Sequence, residues 1–176
     1  MLLPTLAIIA TLFACNNERR AVTEASSAIE PPPATAEGLS LSFGGPEKAD
    51  SLFLSLERTP CFGTCKAYRI EVYRSGYATY NGRSNTEKLG MHSTRVGADA
   101  MEAIVAKAEE VGFFTMQDKY DAEVTDLPST FLRIVANGKD KKVMGRVGQP
   151  NGFKHLVTLA EEQLLSLPWA PVAAKP

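Results

Sequence analysis

The chain has 176 residues, with 19 Lys and Arg against 20 Asp and Glu and a formal net charge of −1. That length suits one ordinary domain with tails rather than two domains. The charge balance leaves no basic field to hold a nucleic-acid backbone, and a hydrophobic fraction of 44% is enough for a packed core.

Residues 1–13 are almost wholly apolar. The run is shorter than the roughly 20 residues a bilayer-spanning helix needs, and it has the length of an export signal's apolar region. It ends Leu12-Phe13-Ala14-Cys15, which resembles the lipobox of bacterial lipoproteins. The resemblance implies a signal peptide over residues 1–14, cleavage before Cys15 and lipid on its thiol. Asn16 in the next position points to the outer membrane, on its periplasmic face. Phe13 is bulkier than that pattern usually carries, and no Lys or Arg precedes the apolar run. A plain cleaved signal is the alternative. There are three cysteines, so a lipidated Cys15 leaves Cys61 and Cys65 as a pair.

Residues 15–50 are rich in Ala, Glu, Ser, Thr and Pro, with Pro31-Pro32-Pro33 in the middle. No apolar period holds there, so the segment cannot bury enough surface to offset its ordering entropy. It reads as a disordered tether that as a coil spans roughly 30–35 Å. Leu39, Leu41 and Phe43 alternate within it and are a weak candidate edge strand.

The folded domain is expected over residues 51–168, followed by a disordered tail over 169–176. Leu52, Leu54 and Leu56 alternate with Phe53, Ser55 and Glu57 and predict a strand with one apolar face. The segment Thr59-Pro60-Cys61-Phe62-Gly63-Thr64-Cys65 interrupts it. Tyr68, Ile70 and Val72 then predict a second strand, Ser75-Gly76 a hairpin turn, and Tyr77-Ala78-Thr79-Tyr80 a third strand. Asn81-Gly82-Arg83 reads as a turn or bulge, and residues 87–96 as a weaker fourth strand. Met101, Ile104, Val105, Ala108 and Val111 fall on one face of a helix over 96–112, closed by Gly112. Residues 117–129 are polar and turn-rich. Strands at 131–136 and 141–147 flank the Asn137-Gly138 hairpin turn. A last helix from 151 to 167 carries Phe153, Leu156, Ala160, Leu164 and Leu167 as its buried stripe. The expected fold is α+β: a single antiparallel sheet in the order ββββ-α-ββ-α, with both helices packed on one face.

The cysteine segment, then Tyr68, Gly76 and Tyr80-Asn81-Gly82, resembles the bacterial domain-of-unknown-function family 6438. Gly90, Phe113-Phe114, Tyr120 and Thr125-Asp126-Leu127-Pro128 extend the resemblance over about residues 52–165. Where the family usually has Pro after the second cysteine, this chain has Lys66. The family carries no established activity, so the resemblance implies no mechanism. It marks Tyr68, Tyr120 and Asp126 as candidates for a ligand-binding or structural role. Its members often sit behind lipoprotein signals.

Two chemistries compete for Cys61 and Cys65. In the periplasm a disulfide is the default state of such a pair. The short loop gives it modest stabilising power, and its effect would be to pin the turn feeding the hairpin. The C-x-x-x-C spacing also resembles the copper site of Sco-type thioredoxin-fold proteins, where His92 or His155 would complete a Cu(I) site. Those sites sit between a strand and a helix, whereas residues 66–73 alternate as a strand. No catalytic residue, cofactor site or metal-ligand spacing stands out. Asp118, Asp121, Glu123 and Asp126 read as solvated turn carboxylates, without the glycine and spacing of a calcium loop. The sequence therefore points to a membrane-anchored periplasmic lipoprotein with a non-catalytic domain that binds an envelope protein or a small ligand. The alternative is a thiol-redox or copper-handling protein.

Overall fold

The computed structural model describes residues 50–122 and 126–173. The expected signal, Cys15, the tether before Asp50 and its candidate strand at 39–43 lie outside the described residues. So do Glu123, Thr125 and the last three positions.

Among the described residues, eight strands form one sheet: β1 (Leu52–Arg58), β2 (Ala67–Tyr73), β3 (Tyr77–Ser84), β4 (Gly90–Arg95), β5 (Lys119–Tyr120), β6 (Thr130–Ala136), β7 (Lys139–Gly145) and β8 (Ala170–Pro171). Two helices, α1 (Ala98–Glu110) and α2 (Asn151–Leu165), complete an α+β fold. The spatial order is β5-β7-β6-β1-β2-β3-β4-β8. All neighbours are antiparallel except β5, which runs parallel to β7. The sheet is therefore mixed, not purely antiparallel, and its element order exceeds ββββ-α-ββ-α by β5 and β8.

The apolar alternation sets one face of this sheet. Leu54 pairs with Val72 and Ile134, and Leu56 with Ile70 and Leu132. Ile70 in turn pairs with Tyr80, Val72 with Ala78, and Leu132 with Val143. These side chains are buried and share one core cluster with Ile104 and Ala108 of α1 and Phe153, Leu156, Val157, Ala160 and Leu164 of α2. Burying each such side chain stabilises the fold by about 1.5–3 kcal/mol before entropy is counted. The opposite face is charged: Glu57 accepts from Arg83 at 2.6 Å and pairs with Arg69 at 3.3 Å.

The turns follow their residue chemistry. Asn137 (φ 53°) and Gly138 (φ 71°) both take the left-handed conformation that a two-residue hairpin turn requires. Gly112, at φ 66°, ends α1 and leads into the 3-10 turn Phe113–Thr115, whose Phe113 is fully buried.

Four further expectations are corrected. Leu52 does not share a face with Leu54, because a register shift lies between them. The shift puts Phe53 in the core and leaves Leu52 partly exposed among Ser55, Glu57 and Arg69. Asn81-Gly82-Arg83 makes no turn but lies within β3, where the bulge alternative holds, since the β2–β3 register slips at Arg83 between the pairs Tyr68–Gly82 and Ala67–Ser84; β4 begins only at Gly90. Glycine is needed at 82 because a Cβ there would lie 1.8 Å from the Lys88 carbonyl oxygen, where the returning chain crosses. The polar stretch after α1 contains β5, held by Met144 N–H to the Asp118 carbonyl (2.8 Å) and Arg146 N–H to the Tyr120 carbonyl (2.9 Å). The chain after Pro168 is also part of the domain as far as it is described. Trp169 is buried, its Nε1 donates to the Leu164 carbonyl at 2.9 Å, and β8 pairs with β4.

Candidate functional site

β1 ends where β2 and β6 begin, and β3 ends where β4 begins, so the loops at 59–66, 85–89 and 126–129 all lie at one end of the sheet. Cross-strand pairing gives this end a continuous row: Tyr120, Gly145, Thr130, Arg58, Tyr68, Gly82, Gly90. The row holds Tyr68 and Tyr120 four strand spacings apart, or about 19 Å. The two tyrosines thus share a level of the sheet without touching a common ligand position.

At the first loop, Cys61 and Cys65 lie at disulfide distance with Cα atoms 5.7 Å apart. Both are partly buried, and a strand follows Cys65, as its alternation predicts. Gly63 is not what permits this turn: a Cβ there would meet only Cys61 Sγ, at 3.8 Å. The loop is tied instead from the β3–β4 turn, where Asn85 Nδ2 donates to the carbonyls of Cys65 (3.1 Å) and Gly63 (3.4 Å). On the other side, Thr59 and Ser129 exchange bonds. Thr59 N–H donates to the Ser129 carbonyl at 3.0 Å, and Ser129 N–H donates to Thr59 Oγ1 at 2.8 Å. Arg146 reaches Ser129 Oγ at 3.0 Å and Asp121 at 3.4 Å, so the loop before β6 is fastened too.

Beneath the loop sits a half-buried polar cluster. The Arg58 guanidinium grips Glu161 of α2 through Nε (2.8 Å) and Nη2 (2.9 Å), and Nη1 donates to Thr130 Oγ1 at 2.9 Å. The Tyr68 hydroxyl donates to the same carboxylate. Burial, then the charge and hydrogen bond of Glu161, push the Tyr68 phenol well above its ordinary value. Burial alone would lower the Arg58 pKa, but the hydrogen bond and charge of Glu161 outweigh it and the net shift is upward. Tyr68 stacks on Tyr80 (centroids 5.6 Å), which packs on Trp169 (5.5 Å) and meets His92 edge-on (6.1 Å).

Two clefts flank this cluster. One of ≈ 180 Å³ is lined by Lys66, Tyr68, Tyr80, Thr86, Glu87, Lys88, Leu165 and Trp169. The other, of ≈ 240 Å³, is lined by Arg58, Cys65, Lys66, Tyr68, Pro128, Glu161 and Leu165. Both are below the usual 300–1,000 Å³ of small-molecule sites.

Of the sequence-predicted residues, Cys61, Cys65 and Tyr68 come together here. Asp126 is exposed on the loop that delivers Pro128 to the second cleft. Tyr120 packs against the core at the far edge, and its hydroxyl accepts the Gln117 N–H at 3.2 Å. His92 is buried with Nδ1 3.3 Å from the Gly90 carbonyl, and His155 is exposed on α2. Among the described residues, no three His, Cys, Asp or Glu side chains are grouped to hold a metal. Arg58 and Glu161 escaped the sequence reading. The first had a signal, since Arg58 continues the parity of Leu54 and Leu56 and so must face the helices.

No curated protein sequence matches this chain. The sequence profile of the family described as "Domain of unknown function (DUF6438)" matches residues 52–164, which span β1 to the last turn of α2 and hence every residue of the cluster. The chain belongs to that family.

Proposed function

We propose that this protein is an envelope lipoprotein, anchored through Cys15 on the periplasmic face of the outer membrane, whose α+β domain is a non-catalytic binding module. The binding surface is the end of the sheet that carries Cys61 and Cys65.

One observation carries the assignment of that end. The cysteine loop, Tyr68, Gly82, Gly90 and the Leu127-Pro128 segment lie far apart in sequence, yet they meet at this end over a single hydrogen-bonded cluster. The cluster's chemistry supports support rather than turnover. Both Glu161 oxygens are engaged by Arg58, and Tyr68 is held neutral. A general base or nucleophile needs the opposite tuning, toward a pKa near the working pH. The partly buried cysteine pair serves as a staple for the loop above.

The anchor is tested by feeding cells radiolabelled fatty acid. Wild-type protein takes up label and fractionates with outer membranes, while Cys15→Ser does neither. Label entering Cys15→Ser, or wild-type protein released as a soluble periplasmic species, overturns the anchor.

A further inference from the structure

α1 carries a second apolar stripe beside the one it buries. Ala98, Met101, Val105 and Ala106 share a helix face, and with Phe53 of β1 and Ala136 of β6 they line an open groove of ≈ 560 Å³. Phe53 and Ala136 belong to the core, and Met101 and Val105 pack against it while staying partly exposed. The groove lies at the end of the sheet opposite Cys61 and Cys65. At more than twice the volume of either cleft there, it has room for large side chains. The chain enters the domain at the wall of this groove. Arg74, which also lines it, donates its N–H to the Ser51 carbonyl at 2.9 Å. Asp50 accepts from Ser75 N–H at 3.2 Å and from Ser75 Oγ at 2.5 Å. Asp50 is therefore fixed beside the groove, and the chain that precedes it starts there.

We propose that residues 40–46 of this same chain fill the groove, with Leu41 and Phe43 as the groups that enter it. Three observations choose this occupant. The first is pattern. Between Asn16 and Ala49 the large apolar residues are Val22, Ile29, Leu39, Leu41 and Phe43. Leu41 and Phe43 stand nearest to Asp50, and their spacing of two puts both on one side of an extended segment. The second is reach. Seven residues lead from Phe43 to Asp50, up to about 24 Å of extended chain, against about 20 Å for the whole length of α1. Gly44-Gly45-Pro46 supplies the turn that brings the chain back along the helix. The third is linkage. A segment joined to its site by so short a connection is present there at an effective concentration on the order of millimolar, which an unlinked partner must exceed. Docked, the segment moves the point where the preceding chain leaves the domain from Asp50 to α1. The proposal is independent of what the Cys61/Cys65 end binds.

The test is methyl NMR and thermal melting of the full processed chain carrying Cys15→Ser, at several protein concentrations. Nuclear Overhauser contacts should run from the Phe43 ring to the Met101 and Val105 methyls at every concentration. Leu41→Ser/Phe43→Ser should abolish them, shift those methyl resonances and lower the melting temperature by about 5 °C. Ala106→Arg, which fills the groove from an exposed helix position, should abolish the same contacts. Added to the double variant, it should lower the melting temperature no further. Absence of the Phe43 contacts, or a melting temperature and methyl spectrum that Leu41→Ser/Phe43→Ser leaves unchanged, overturns the proposal. So do contacts that run only between differently labelled copies, which would give the groove to a second molecule, and Met101 contacts to a co-purified small molecule in place of Phe43.

Discussion

The hydroxyl of Tyr68 on β2 donates to the carboxylate of Glu161 on α2, joining residues 93 apart in sequence. Arg58 of β1 holds the same carboxylate with two bonds, so one side chain from α2 locks the ends of two adjacent strands.

Glu161→Gln removes the charge that faces Arg58 and Tyr68. Breaking a fully buried pair costs about 3–5 kcal/mol, and partial exposure (33% for Arg58, 20% for Glu161) reduces this to about 2 kcal/mol. Thermal melting should fall by about 8 °C. Tyr68→Phe deletes one hydrogen bond and should cost about 1 kcal/mol. Because both changes act on one carboxylate, the double variant should lose less than the sum. Additive losses would mean the two contacts are independent.

Alkaline titration should separate Tyr68 from the other tyrosines. Its pKa is raised by burial and by Glu161, so the folded state disfavours the phenolate. The stabilisation is fully present below the unfolded value of about 10 and is lost as pH rises beyond it. Tyr73 is raised in the same direction by burial and Glu71. Absorbance of the phenolate band should therefore show Tyr68 ionising last, together with loss of fold. In Glu161→Gln its ionisation should move to lower pH.

Three surface carboxylates set the acid side. Glu109 is lowered by Lys139 and then Asn137, Asp121 by Lys119 and Arg146, and Asp140 by Arg133. Their contributions are present above the unfolded values of about 4 and vanish as pH falls through the lower folded values. Stability should decline below about pH 4, and 1 M salt should flatten that decline, since exposed pairs are screened. A salt-independent acid transition would assign it to buried groups instead.

Gly82→Ala should be among the most damaging small substitutions. The added Cβ falls 1.8 Å from the Lys88 carbonyl oxygen, so the β3–β4 turn must open and Asn85 must release the cysteine loop. The expected loss is about 3 kcal/mol or more. Gly63→Ala, with its nearest contact at 3.8 Å, should stay within about 0.5 kcal/mol of wild type.

What the sequence made legible is what period and turn chemistry record. Leu54 and Leu56, Ile70 and Val72, the α1 stripe ending at Gly112 and the Asn137-Gly138 turn are local patterns, and the structure keeps them. The misses are tertiary. Two residues of β5 are too few to show an alternation, and β8 hides behind Pro168 and Pro171 in what reads as tail. The lone Trp169 was the available sign that this stretch is buried. The shift at Phe53 has no sequence mark, because Leu52, Phe53 and Leu54 are all apolar. At the site, Cys61, Cys65 and Tyr68 were legible as a segment, but their partner Glu161 lies on the margin of the α2 stripe, where a solvated carboxylate is the ordinary expectation. Only the packing of α2 over Arg58 gives it a role.

The central claim is that Cys61 and Cys65 staple a binding surface and do no thiol or copper chemistry. The direct test is thiol and Cu(I) titration of the full processed chain carrying Cys15→Ser, beside the same chain with Cys61→Ser/Cys65→Ser. The account predicts no free thiol until a strong reductant is added and no stoichiometric Cu(I) binding. It also predicts a stability loss of about 2 kcal/mol on removing the pair, as expected for so short a loop. One Cu(I) bound per reduced pair, or a reduction potential near the roughly −120 mV of a strong periplasmic oxidant, would contradict it.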